Sequence, residues 1–226
     1  MSERVLVFDM DGVLVDVTES YREAIQRTVE QFTGHRPTRE LIQEFKNAGG
    51  WNNDWKLSHR LVRDAGVDVT FEEVVNRFNT LFKGENADGL IVRERWIAEP
   101  GLLDRLEERF RFAIFTGRSK FELTPTLRRV GMETRFDPLI THEMVTHHKP
   151  AADGLLTIAR FHAGAELWYV GDTIDDAGSA QAAGVPFIGI AARDNPYRDE
   201  TARAFEKAGA VAVLDDINQL ESVLPQ

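Results

Sequence analysis

The first apolar run of the chain, Val5-Leu6-Val7-Phe8, is short, rich in β-branched residues, and stops at Asp9-Met10-Asp11-Gly12-Val13. Such a run, bounded by acids and a glycine, predicts a buried strand. The period then changes. Polar and apolar positions over 20–32 follow helical spacing, and Gly34 ends them. Thr38 caps a second helix over 39–46, with Leu41, Ile42 and Phe45 on one face. A third passes through Leu57, Leu61 and Val62 and stops at Gly66. Thr70 opens a fourth, whose apolar stripe is Phe71, Val74, Val75 and Phe78. From 16 to 96 the pattern predicts helices and loops only.

The second half alternates. Strands are predicted at 112–115, 138–140, 167–170, 187–190 and 211–214. Between them helices are predicted from Pro100-Gly101-Leu102-Leu103 onward and over 121–130, 151–161 and 175–183, with Pro125 disturbing the second of these. Strand and helix in alternation give an α/β protein with a parallel sheet and helices on both faces. The helical stretch cannot join that sheet. It is expected to form a separate lobe above the sheet's C-terminal edge. The expected division is a discontinuous core of 1–15 and 96–226 and an inserted lobe of 16–95. Linkers near 13–17 and 94–100 would act as hinges.

Composition narrows the class. The chain has 226 residues with 42% hydrophobic content, so a sizeable core is expected. Its formal net charge of -10 disfavours nucleic acid and anionic membrane as partners. There is no cysteine, which excludes disulfides, thiolate metal sites and cysteine nucleophiles and suits a cytoplasmic location. Met1-Ser2-Glu3-Arg4 leads straight into the first strand, so no signal peptide is expected, and no apolar run is long enough to span a bilayer.

The charged groups fall at predicted strand ends, which in a parallel sheet share one edge. Four clusters do so: Asp9 with Asp11; Thr116-Gly117-Arg118; Lys149-Pro150; and Gly171-Asp172-Thr173-Ile174-Asp175-Asp176. Two acids at a strand tip are costly unless a cation or proton offsets them. Mg²⁺ prefers carboxylate oxygens together with a substrate phosphate, so Asp9 and Asp172 are the expected ligands, supported by the Asp11 carbonyl and Asp176. Asp9 can attack phosphorus, and Asp11 can protonate the leaving alcohol and later deprotonate water. Thr116 and Gly117 offer a hydroxyl and an N–H to a phosphoryl oxygen, and Lys149 offsets the gathered charge. Pro150 suits a first helical position, which would aim free N–H groups at the site. Arg118 either reaches the substrate or makes an ion pair.

These four clusters, in this order, resemble the signature motifs of the haloacid dehalogenase superfamily. The resemblance covers roughly 1–14 and 96–214. The helical insert is similar to the cap of the subfamily that holds phosphoglycolate phosphatases and β-phosphoglucomutase. The resemblance implies a Rossmann-like parallel core with an inserted all-helical cap domain, Mg²⁺ dependence, and phosphoryl transfer through Asp9. Its spacing selects Asp172 and Asp176, leaving Asp175 as a helix N-cap. Dehalogenases of the superfamily lack the second acid, and Asp11 is present here. Related mutases carry a Thr soon after the first motif and a His on the first cap helix, where this chain has Val17 and Tyr21. The expectation is therefore a Mg²⁺-dependent phosphomonoester hydrolase acting on a small phosphorylated metabolite, as monomer or homodimer. A phosphomutase, or a non-catalytic binding domain of the same fold, stands as the alternative.

Gly49-Gly50-Trp51-Asn52-Asn53-Asp54-Trp55 has no assigned motif. Asn53 or Asp54 can cap the next helix. Alternatively Trp51, Asn52 and Asn53 read the substrate, since amides donate and accept and indole is flat and apolar. His142, His147 and His148 lack the spacing of a zinc motif and are expected to be solvated loop residues.

Overall fold

The computed structural model describes residues 3–85 and 88–225. Met1, Ser2 and Gln226 of the expected core, and Asn86 and Ala87 of the expected insert, lie outside the described residues. The chain divides into two compact units, Met1–Val15 with Trp96–Gln226, and Asp16–Arg95.

In chain order the elements begin with β1 (Arg4–Phe8) and β2 (Val15–Asp16), followed by α1 (Glu23–Thr33), α2 (Arg39–Ala48), α3 (Asp54–Asp64) and α4 (Phe71–Lys83). After β3 (Arg95–Trp96) come α5 (Leu102–Glu107), β4 (Arg111–Phe115), α6 (Lys120–Arg129) and β5 (Leu139–Ile140). The chain finishes with α7 (Asp153–Phe161), β6 (Glu166–Gly171), α8 (Ile174–Ala183), β7 (Phe187–Ile190), α9 (Arg198–Lys207) and β8 (Ala212–Leu214). Six strands form a parallel sheet in the order β5-β4-β1-β6-β7-β8. The α/β class expected from strand-helix alternation is the class observed.

Alternation within β1 fills both faces of the sheet. Val5 and Val7 join a buried cluster with Ala113, Phe115, Leu155, Ile158, Tyr169, Ala177, Phe187 and Phe205, drawn from β4, β6, β7, α7, α8 and α9. Phe8 turns to the other face, where its ring meets Phe112 at 5.5 Å and Phe136 at 6.0 Å. Each fully buried aromatic or branched side chain contributes about 1.5–3 kcal/mol, so this double layer fixes the position of β1 and of the acids after it.

In the other unit, α1, α3 and α4 pack on one another. The Tyr21 ring lies 4.1 Å from Phe82 and near Phe78, in the unit's interior. The caps follow the sequence: Thr38 accepts from the Leu41 N–H, Asn53 from Lys56, and Thr70 forms a capping box with Glu73.

Four local expectations are corrected. The segment 16–96 is not wholly helical, because β2 and β3 pair as a two-stranded ribbon at its ends. The helix expected from residue 20 begins as a π-helical turn, Thr18–Arg22, before α1. Pro150 is not a first helical position, since a turn in which Ala151 donates to the His148 carbonyl separates it from α7. Asp175 does not cap α8; Thr173 does. Pro125 is accommodated inside α6, and α9 has no counterpart among the expected helices.

Candidate active site

The register of the sheet decides which residues meet. Phe8 lies opposite Ile114 on β4 and Val170 on β6. Asp9 therefore follows at the same level as Gly171, and its N–H donates to the Val170 carbonyl at 2.8 Å. Thr116 follows β4 on the other side and Asp172 follows β6. Residues far apart in sequence are thus gathered by strand geometry alone.

Lys149 ties this edge together. Its Nζ lies 2.8 Å from Asp9 Oδ1 and 2.7 Å from Asp176 Oδ1, and the three side chains are 3%, 6% and 0% exposed. The ammonium also sits 4.8 Å from the Phe115 ring centroid and 5.4 Å from that of Tyr169. Burial alone would neutralise it, but Asp176 and Asp9 hold its pKa above the usual lysine range. Burial, aided by the neighbouring charges of Asp176 and Asp11, raises the Asp9 carboxyl to about 7 against the pull of Lys149. Asp176 goes the other way: burial opposes its charge, but Lys149, Thr173 and Tyr169 hold its pKa below the usual carboxylate range.

Asp176 is also a structural node. Its Oδ2 accepts from the Thr173 N–H at 3.0 Å and hydroxyl at 2.6 Å, and its Oδ1 accepts from the Tyr169 hydroxyl at 2.6 Å. The capping box of α8 thus fixes a buried carboxylate at the sheet edge. Burial and the charges of Asp176 and Asp9 raise the Tyr169 hydroxyl well above its ordinary value.

Ligand oxygens of Asp9, Asp172 and Asp176 all lie within 4.8 Å of one another, the one group among the described residues arranged to hold a metal ion. The donor set is all carboxylate, the chemistry of Mg²⁺ rather than of a softer ion. With all three ionised, three carboxylates against one ammonium leave two negative charges at this edge, which a divalent cation would balance. Gly12 stands against it with φ 72°, and an added Cβ there would lie 2.1 Å from Asp172 Oδ2. The backbone passes this close to the acid only without a side chain.

Asp11 is less buried and is held by Arg118, whose Nε and Nη2 reach Asp11 Oδ1 at 2.7 and 2.5 Å. Thr116 is buried and accepts from the Arg118 N–H at 3.1 Å, which fixes the Thr116-Gly117-Arg118 loop beside the strand tip. The structure thus brings Asp9, Asp11, Thr116, Gly117, Arg118, Lys149, Asp172 and Asp176 to one unit and one sheet edge.

Trp51, Asn52 and Asn53 belong to the other unit. There Trp51 packs edge-on against Phe45 and under Arg60, and the Asn53 side chain accepts from the Lys56 N–H. Of the three loop histidines, His147 pairs with Asp153, and His142 and His148 have ring centroids 5.9 Å apart. Sequence reasoning missed Tyr169 and Thr173. Thr173, three residues before an acid at a helix start, carries the signature of a capping box. Nothing in the strand pattern distinguishes Tyr169 from an apolar core residue.

Comparison with known proteins places this edge in context. A family model described as haloacid dehalogenase-like hydrolase matches residues 6–190. An imidazoleglycerol-phosphate dehydratase from Phytophthora nicotianae is 36% identical over 197 residues, covering 83% of this chain. The chain spans 43% of the length of that relative, so less than half of the larger protein is matched. A phosphorylated carbohydrates phosphatase from Thermotoga maritima is 27% identical over 232 residues, with 97% of this chain and 99% of that protein covered. A crystal structure described as a haloacid dehalogenase-like hydrolase from Bacteroides fragilis superposes with a TM-score of 0.77 at 23% identity, covering 96% of this chain and 99% of that one, which shows the shared fold. Among the described residues no helix is long and apolar enough to cross a membrane.

Proposed function

The chain belongs to the haloacid dehalogenase-like hydrolase family, and from that premise we propose that it hydrolyses a small phosphomonoester by way of a phosphoryl group carried on Asp9. The observation that carries this reading is the buried Asp9 carboxylate bonded to Lys149, with Asp172 and Asp176 beside it and Asp11 two residues on.

The residues supply each requirement of the chemistry. Asp9, Asp172 and Asp176 would hold Mg²⁺. When bound, the ion offsets the charge shared by carboxylates and phosphate. The Asp9 oxygen attacks phosphorus, the ester P–O bond breaks, and the Asp11 carboxyl gives its proton to the departing alkoxide. The Asp11 carboxylate then takes a proton from the water that attacks the acyl phosphate, which releases phosphate and restores Asp9. Lys149, the Thr116 hydroxyl and the Gly117 N–H keep the phosphoryl oxygens in place and share their charge, as a reaction dominated by positioning demands.

A mutase reading has less support. Its Thr and His are Val17 and Tyr21 here, and Tyr21 is packed into the interior of its unit against Phe82. Of the candidate esters, an imidazole-bearing alkyl monophosphate is the first to try. The Phytophthora relative is named for such a phosphate, and dehydration leaves the phosphate ester intact for a hydrolase to cleave. Phosphorylated sugars come second, from the name of the Thermotoga relative. The test is a Mg²⁺-titrated phosphate-release assay of the purified chain on both groups. Metal-dependent release, lost in Asp9→Asn, is expected. Release that persists in Asp9→Asn would contradict the proposal.

A further inference from the structure

Arg118 is one of the largest fully enclosed side chains in the protein, with 1% of its side chain exposed. A guanidinium cannot shed its proton, so it is buried as a charge, and such burial is costly without a matched partner. Its partner is Asp11, of which 32% of the side chain remains exposed. Both bonds, from Nε and Nη2, converge on Asp11 Oδ1. The far side of the guanidinium is fixed as well, because Nη1 donates to the Thr126 hydroxyl at 3.1 Å on α6. Helix α6 is itself anchored beside Arg118 by the capping box of Ser119 and Glu122. The main chain is pinned too: the Arg118 N–H donates to Thr116, and its carbonyl accepts from the His142 N–H at 3.2 Å.

We propose that Arg118 is a positioning residue that acts through Asp11 and does not bind the substrate phosphate. The buried guanidinium grips one carboxyl oxygen. Oδ2 is the oxygen left to meet the ester. A carboxyl on a flexible two-bond side chain otherwise samples several rotamers, of which few point a proton at the leaving oxygen. The assignment rests on the phosphatase reading above, since it gives Arg118 a part in the proton transfer from Asp11 to the alkoxide. The proton leaves Asp11 as the P–O bond breaks and returns from the attacking water. Arg118 keeps all its own protons throughout.

Leaving groups separate positioning from binding. An aryl phosphate departs as a weakly basic phenolate and needs little protonation, whereas an alkyl phosphate departs as a strongly basic alkoxide and depends on it. With saturating Mg²⁺, Arg118→Met is expected to lower kcat/KM on glycerol phosphate by about a hundredfold, the usual scale of general acid catalysis, with a much smaller loss on p-nitrophenyl phosphate, since kcat/KM reads the steps up to departure of the alcohol and not the hydrolysis of the acyl phosphate that both esters share. Asp11→Asn is expected to show the same contrast, and Arg118→Met added to Asp11→Asn to cost almost nothing more on the alkyl ester. Arg118→Lys keeps the charge without the two-pronged grip. It should give a milder form of the same contrast, and it carries the test if Arg118→Met does not fold. Equal losses of kcat/KM on both esters, weakened inhibition by inorganic phosphate, or additive losses in the double variant would overturn the assignment and make Arg118 a substrate ligand or a structural ion pair. A wild-type protein that releases no phosphate from these two esters or from the imidazole-bearing and sugar phosphates above overturns the phosphatase reading instead.

Discussion

Replacing Lys149 by Met tests the electrostatics of the site most severely. The substitution keeps volume and removes the one ammonium that bridges Asp9 and Asp176, at 2.8 and 2.7 Å, where no side chain is more than 6% exposed. Removing one partner of a buried ion pair costs about 3–5 kcal/mol, because the remaining charge is left without compensation. Asp176 retains the bonds from Tyr169 and Thr173, so the penalty falls mainly on Asp9. At pH 8 without metal, the unfolding equilibrium of the core unit should shift by roughly two to three and a half decades. The sign with pH follows from the Asp9 carboxyl, which burial raises to about 7 from 3.8. Between these values the folded state holds a proton that the unfolded chain gives up, so folding gains stability as pH falls through that window. Without Lys149, which lowers this pKa, the rise should begin at higher pH. Urea unfolding at pH 8 and pH 5, with and without Mg²⁺, reads all three effects. The variant should be much less stable than wild type at pH 8 without metal, and both acid and Mg²⁺ should narrow the gap. A loss below about 1 kcal/mol, the scale of an exposed pair, that does not vary with pH or Mg²⁺ would refute the reasoning.

Three further outcomes are expected. Gly12→Ala places a Cβ 2.1 Å from Asp172 Oδ2 at a φ of 72° and should weaken Mg²⁺ binding at least about tenfold, with a stability cost of about 1–2 kcal/mol, measured by calorimetric titration and thermal melting. Unchanged Mg²⁺ affinity would remove Asp172 from the ligand set. Below pH 7 the ion must displace the proton held by Asp9, so Mg²⁺ affinity should fall by about tenfold per pH unit, and a flat profile from pH 7 to pH 5 would contradict the assignment. Changing Asn52 and Asn53 together to Ala should raise KM for the true substrate and spare p-nitrophenyl phosphate; equal losses on both would exclude a substrate-reading role for this loop.

The α/β class was legible in the sequence because strands covered on both faces read as unbroken apolar runs. Val5-Leu6-Val7-Phe8 and Phe112-Ala113-Ile114-Phe115 carry that signal plainly. The four acidic and basic clusters were legible for a related reason: a parallel sheet brings every strand's C-terminal end to one edge, whatever the sequence separation. What was hidden depends on tertiary partners. Helix α9 is strongly polar, with Thr201 and Phe205 its buried residues, so its periodicity is weak. The β2–β3 ribbon has two residues per strand, too few to show alternation. The direction of the Arg118 side chain had no local cue at all, because its partner is 107 residues away. Pro150 misled for a local reason: proline is favoured both at helix starts and in turns, and here it occupies a turn.

The central claim is that the Asp9 carboxylate, one residue past β1, becomes the covalent carrier of phosphate. Rapid acid quenching during turnover with Mg²⁺, followed by peptide mass spectrometry, measures it directly. The account predicts one added phosphoryl group on Asp9, at higher occupancy in Asp11→Asn turning over p-nitrophenyl phosphate, which needs little acid to form the adduct but the same base to release it. Confirmed turnover with no adduct on Asp9, or with the adduct on another residue, would contradict it.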